Sequence, residues 1–232
     1  MFKKVLYSFI IALVASVGLR AQNLPMSDLK TAHFGFTLGL NMMDFGIQPS
    51  LQEINGKLYH ADVTGITPGF TVGVIGDLRL AEYFNLRLVP CLHLGDRTLS
   101  YSNDQDDEII RTSIKSALIT VPLYLKYSAP RLDNYRIYLL AGGGVSFDLA
   151  RDRQRPILLK QTDYYIEFGA GCTFYLKYFR ISPELKYSIG FNDLLVPIDQ
   201  RAGDAITNDE HKFTNALSKL TSRMFTIVFN FE

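Results

Sequence analysis

From about residue 33 onward, apolar and non-apolar residues alternate along the chain with a period of two. The clearest stretch runs from Gly65 to Gly95. Phe70, Val72, Val74, Leu78 and Leu80 share one parity, and Thr71, Gly73, Asp77 and Arg79 share the other. After Ala81-Glu82-Tyr83 the pattern resumes, with Phe84, Leu86, Leu88, Pro90, Leu92 and Leu94 opposing Asn85, Arg87, Cys91 and His93. A two-residue period marks β-strands, and two such runs joined by a few polar residues mark a hairpin. Strands of soluble sandwiches seldom exceed about ten residues. Here the runs are longer, and the non-apolar face mixes glycine with charges of both signs. A membrane barrel has these properties, because its apolar face meets lipid while its polar face lines a narrow interior.

The remainder repeats the unit and predicts eight strands. The first covers residues 33–43, with Phe34, Phe36, Leu38, Leu40 and Met42 outward and Gly35, Thr37, Gly39 and Asn41 inward. A polar stretch over 44–64 leads to the hairpin, and 100–108 reads as an acidic loop. The fourth strand, 114–127, turns Ser116, Thr120, Tyr124 and Lys126 inward. The fifth, 135–147, does the same with Arg136, Tyr138, Gly142 and Gly144. The sixth covers 162–176, with Tyr165, Glu167, Gly169, Gly171, Thr173 and Tyr175 inward. The seventh begins at Phe179, with Arg180, Ser182, Glu184 and Lys186 inward, and the eighth covers 219–232. Pro68, Pro90, Pro122 and Pro183 each remove a ladder donor and weaken the strand pattern, and bulges are expected at some of them.

The connections alternate long and short, as in an up-and-down outer-membrane barrel with long loops outside the cell and short periplasmic turns. Outward aromatics gather near the short turns (Phe34, Phe84, Tyr127, Tyr135, Phe174, Phe179, Phe229, Phe231). A sparser set, Phe70, Phe147 and Tyr164, lies near the long loops. Two girdles are expected at the membrane interfaces. A soluble lipocalin-like barrel would invert the pattern. Residues 1–21 carry Lys3 and Lys4, then an apolar run, then Leu19-Arg20-Ala21, the pattern of a secretory signal peptide. The run is shorter than the roughly twenty residues of a helical span. The expected organisation is a signal peptide at 1–21 and an antiparallel transmembrane β-barrel at 22–232, located in the outer membrane and in contact with its lipids.

Composition adds exclusions. The formal net charge of +1 offers no basic surface for nucleic acid. Tryptophan is absent while 13 Tyr and 16 Phe are present, so Tyr and Phe must supply the girdles. Cys91 and Cys172 fall on opposite faces of distant strands, and no disulfide is expected.

The inward face gathers Asp77, Arg79, Arg87, His93, Lys126, Arg136, Glu167, Arg180, Glu184, Lys186 and Arg223. An eight-stranded barrel has room for little beyond its own side chains. In such a lumen these charges must pair, because an unpaired buried ion costs several kcal/mol. A structural salt-bridge plug is the expectation, with a narrow polar path as the alternative. No cofactor, metal or catalytic residue is assigned. His93 has no serine placed beside it by any motif, as a triad would need. The carboxylates between Asp104 and Glu108 lack the spacing of a calcium loop. The Arg151, Arg153 and Arg155 cluster reads as a basic loop, with lipopolysaccharide phosphates or the acidic loop as the weaker alternatives for what it pairs with. Gly142-Gly143-Gly144 opens no helix, so it reads as small residues beside bulky tyrosines rather than a phosphate loop.

Three segments carry a family resemblance: ITVPLYLKYSAP over 119–130, YLLAGGGVSFDL over 138–149, and FRISPELKYSIGFNDLL over 179–195. Together they resemble the PorT family of outer-membrane β-barrels, common in Bacteroidetes, and the Pro-Glu-Leu-Lys-Tyr-Ser-x-Gly core of the third is the most specific. The resemblance implies an outer-membrane component of the type IX secretion system, needed for export and maturation of cargo with C-terminal sorting domains, such as cysteine proteases and adhesins, and for associated gliding or virulence. Its partners would be other secretion-system proteins, and no catalytic motif carries over. A generic small barrel, adhesive or envelope-stabilising, and a narrow solute pore are the competing functions. Outer-membrane barrels often end on an aromatic residue, whereas Phe231 is followed here by Glu232.

Overall fold

The computed structural model describes residues 30–49, 59–62, 67–103, 110–150, 159–195 and 217–232. Residues 1–21, expected from the sequence to be a signal peptide, the carboxylate run 104–108 and the arginine cluster 151–155 lie outside these. The described residues form ten strand segments in one antiparallel sheet: β1 (Ala32–Pro49), β2 (Tyr59–Asp62), β3 (Pro68–Arg79), β4 (Phe84–Leu88), β5 (Cys91–Asn103), β6 (Ile110–Ser128), β7 (Tyr135–Asp148), β8 (Thr162–Tyr175), β9 (Arg180–Gly190) and β10 (Leu217–Phe231). β4 and β5 are two halves of one span, since both pair with β3 and with β6. β2 is a short extension on β5. Eight spans remain, and they close: β1 pairs with β3 on one side and with β10 on the other.

Closure follows from the solvent. Hydrocarbon offers no partner for a backbone N–H or C=O, so a sheet in the membrane must leave no free edge. The alternation then sorts the side chains. Phe36, Leu40, Val74, Leu88, Leu123, Leu139, Phe168, Leu185 and Phe229 all stand exposed on the outer wall. Thr37, Asn41, Thr71, Arg87, Ser182 and Asn230 are buried inside. Aromatics stack across strands at the short-turn end. Phe36 lies 5.0 Å from Phe231, its register partner, and Phe84 lies 5.3 Å from Tyr127, also its partner. The 129–134 turn is tight, with Leu132 and Tyr135 exchanging backbone hydrogen bonds around Asp133 and Asn134. Asp133 is left-handed (φ 49°), a conformation that Asp and Asn tolerate better than most residues.

Of the four prolines, one splits a strand. The ladder passes Pro122 on its β7 side and Pro183 on its β10 side without a break, pairing lapses opposite Pro183 on the β8 side, and β3 begins at Pro68, whereas Val89 and Pro90 divide β4 from β5. The stretch 44–64, expected to be a polar connection, contains the short strand β2, and the three largest boundary differences from the sequence expectation lie at β1, β6 and β5. β1 continues to Pro49 rather than ending near Met43, β6 begins at Ile110 rather than Ile114, and residues 100–103, expected in the acidic loop, belong to β5. In all three the ladder continues past the lipid belt. There the outward positions, Asp44, Asp96 and Lys115, no longer need to be apolar, and the pattern that marks a strand disappears. Cys91 and Cys172 are both free, the first buried inside and the second on the outer face.

The outer wall yields a depth-graded prediction. Ala141 lies midway between Tyr135 and Phe147 on the outward face of β7, and Leu149 lies just past its end. Ala141→Arg should cost about 2–4 kcal/mol and Leu149→Arg at most about 1 kcal/mol, by reversible denaturant unfolding from lipid vesicles.

Candidate functional site: the closed lumen

The inward charges lie on strands that face one another across a narrow barrel, so their side chains meet. Arg87 on β4 is the hub. Its Nε donates to Asp77 Oδ2 at 2.7 Å, one terminal nitrogen to Glu232 Oε1 at 2.5 Å, and the other lies 3.5 Å from Glu184 Oε2. Glu232 also accepts from Arg180 at 2.6 Å. Lys186 sits between Glu167 (3.6 Å) and Glu184 (3.5 Å), and Lys126 stands 3.7 Å from Asp77. Two tyrosines fasten the carboxylates: Tyr124 donates to Glu167 at 2.8 Å and Tyr138 to Glu184 at 2.7 Å. Asn230 donates to Glu184 at 3.1 Å, and Asn85 donates to Asp77. Cations also lie over the rings, Lys126 at 4.2 Å from the Tyr138 centroid and Lys186 at 5.3 Å from that of Tyr124.

Arg87, Lys126, Arg180 and Lys186 therefore face Asp77, Glu167, Glu184 and Glu232, four of each sign. That balance is what burial demands. Arg87 is 1 % exposed, and an isolated ion at that depth would cost several kcal/mol. Bulk is fitted as closely as charge. Gly171 leaves the space that the Tyr138 ring occupies, and any Cβ there would collide with it.

Above the ions the lumen changes character. His93 lies between Thr71 (2.9 Å) and Thr120 (3.0 Å), so both ring nitrogens are engaged by hydroxyls. Asn41 donates to Phe70 O and to Thr71 Oγ1, fastening β1 to β3. Next comes an apolar layer of Met43, Leu118 and Met224, with Phe45 under the Arg97 guanidinium at 4.7 Å. Leu159, Leu194 and Leu195 fold over the long-loop end, held by Lys160 N to Leu194 O and Leu194 N to Leu220 O, both 2.8 Å. Asp193 Oδ1 receives the backbone N–H groups of Leu195 and Leu220, and Asp163 receives that of Asn192. Ions and leucines thus close the lumen at two levels.

The structure gathers Asp77, Arg87, Lys126, Glu167, Arg180, Glu184 and Lys186 into this cluster. It places Arg79 and Arg136 elsewhere. Arg79 donates to Ala81 O at 3.4 Å, and Arg136 to Ala129 O (2.7 Å) and Glu82 O (3.1 Å), all at the short-turn rim. Arg223, expected inside, is exposed on the outer wall, because it shares parity with the lipid-facing Phe225. Glu232 was missed as a lumen residue. Counting on from the inward Asn230 would have found it, and its carboxylate bridges Arg87 and Arg180.

A family model for an outer membrane protein beta-barrel domain matches residues 20–196. The chain belongs to that family. It is an outer-membrane protein. Among solved structures it is similar to Neisserial surface protein A (11 % identity, 87 % of this chain and 98 % of that one, TM-score 0.43). It is also similar to OprG of Pseudomonas aeruginosa (11 % identity, 85 % and 92 %, TM-score 0.46) and to Ail of Yersinia pestis (9 % identity, 87 % and 99 %, TM-score 0.38). Among curated proteins none matches it in sequence.

The hub makes a direct prediction. Arg87→Met strands Asp77 and Glu232 without their guanidinium and should cost about 3–5 kcal/mol in vesicle unfolding. Pairing it with Glu232→Gln should recover part of that loss. Because the pairs are buried, raising the salt concentration should change the wild-type midpoint little.

Proposed function

We propose that this barrel is an accessory component of the type IX secretion system, acting through protein contacts at its two ends rather than as a conduit. The observation that carries the reading is the filled lumen. Arg87, Tyr124, Tyr138, Leu220 and Val228 are all essentially inaccessible, so transport through the barrel is not its work. What remains for partners is the short-turn rim and the long-loop end.

The segments that resemble the PorT family support the assignment to secretion. They also supply much of the plug: Tyr124 and Lys126 come from the first, Tyr138 from the second, and Arg180, Glu184 and Lys186 from the third. In the third, Glu184 and Lys186 sit within the most specific run, Pro183 to Gly190. On this reading the resembling residues preserve a rigid, closed scaffold, and cargo export depends on what that scaffold holds at the membrane surface.

Deletion of the gene tests the proposal. Unprocessed protease with a C-terminal sorting domain should accumulate in the periplasm, and the cloned chain should restore surface delivery. Normal export in the deletion strain would overturn the secretion role. Envelope leakiness with intact export would instead indicate a stabilising barrel. Replacing residues 191–218 by a short linker should abolish export while heat-modifiable migration of the barrel persists.

A further inference from the structure

Arg223 interrupts the apolar outer wall at the long-loop end of β10. Its neighbours on that face are Phe225 towards the membrane centre and Thr221 and Lys219 towards the loops. The guanidinium turns towards the loops and lies against Gly46 of β1. A Cβ at Gly46 would meet Arg223 Nε and Cζ and the Thr221 hydroxyl, so the glycine leaves the space in which the guanidinium rests. Gly46 is itself buried under that cover. Thr221 donates to Gly46 O at 3.2 Å, which sets the local geometry. Arg223 is therefore level with Thr221, one step along the same face from Lys219.

Asp44 is the register partner of Arg223 and the obvious counter-ion. However, Asp44 Oδ1 accepts the Phe45 backbone N–H at 2.7 Å, and among the described residues no ion pair joins Asp44 to Arg223. The guanidinium is exposed at the upper edge of the lipid belt. Below it, the neighbouring wall offers Phe225 (38 % exposed) and its register partner Tyr187 (41 % exposed). Acyl chains have an apolar bed here, and two cations stand at its top edge.

We propose that Arg223 and Lys219 form a phosphate clamp for a phosphorylated lipid of the outer leaflet, with the acyl chains lying on the Phe225 and Tyr187 wall. Arginine suits the role, because its planar fork binds phosphate oxygens in pairs. Depth argues for a lipid rather than a soluble anion, since the cations crown a lipid-facing wall. The long-loop end is the outer-leaflet side in barrels of this asymmetry.

The test uses the full mature barrel refolded in detergent micelles, with lipid A carrying its phosphates and the same lipid dephosphorylated as probes, and native mass spectrometry as readout. The wild type should retain the phosphorylated lipid preferentially. Arg223→Gln with Lys219→Gln should lower that retention roughly thirtyfold, as expected for two membrane-surface cations, and Arg223→Lys should keep most of it. Gly46→Val supplies an independent variant, since it displaces the guanidinium while leaving every charge in place, and it too should lose retention. Heat-modifiable migration certifies that each variant is folded. Equal retention of the two lipids by the wild type, or unchanged preference in folded Arg223→Gln/Lys219→Gln and Gly46→Val, would overturn the clamp. Displacement of the lipid by millimolar inorganic phosphate would overturn its assignment to a lipid.

Discussion

Everything in this molecule follows from placing a backbone where water cannot reach it. An unpaired backbone group in hydrocarbon costs several kcal/mol, so the sheet must close on itself. β1 does this by pairing with β3 and β10 together. A closed ring of eight spans then has an inner face of fixed, small cross-section. Polar residues forced inward by the period of two cannot be hydrated freely there and must satisfy one another. The four cations and four carboxylates around Arg87 are thus a consequence of closure as much as a cause of stability. Removing one partner exposes the cost of all the others.

This view explains how much could be read from the chain. Lipid enforces an apolar outer face, so side-chain facing was legible along nearly every span, from Phe34 to Phe231. Once the ladder leaves the lipid that enforcement stops, and the ends of β1, β5 and β6 were underestimated for this reason. Parity also gives the face but not the height. Arg79 and Arg136 have inward parity, yet they stand at the rim, because strand tilt and stagger set the level at which a side chain meets its neighbours. Arg223 and Glu232 show the opposite lesson. In each case parity was right and expectation about residue type was wrong: a charge was placed inside because it was charged, and a terminal carboxylate was read as a departure from an aromatic ending.

The same division organises function. The lumen holds the most distinctive chemistry, but that chemistry is consumed internally, since each charged group in the cluster has partners within it. The surfaces that face other molecules lie on the outside: the short-turn rim, the long-loop end, and the Arg223 position on the outer wall. A rigid plugged barrel is well suited to hold such surfaces at fixed heights relative to the two leaflets.

Closure of the lumen is the central claim, and Cys91 reports on it directly. Its thiol is buried inside the barrel, between the ion cluster and the leucine cap, whereas Cys172 faces outward. With Cys172 replaced by serine and the barrel inserted in vesicles, a water-soluble maleimide should leave Cys91 unmodified from either side, yet label it promptly once the barrel is unfolded in denaturant. Rapid labelling of Cys91 in the folded, inserted barrel would mean that water and solutes traverse the lumen, and would contradict the account.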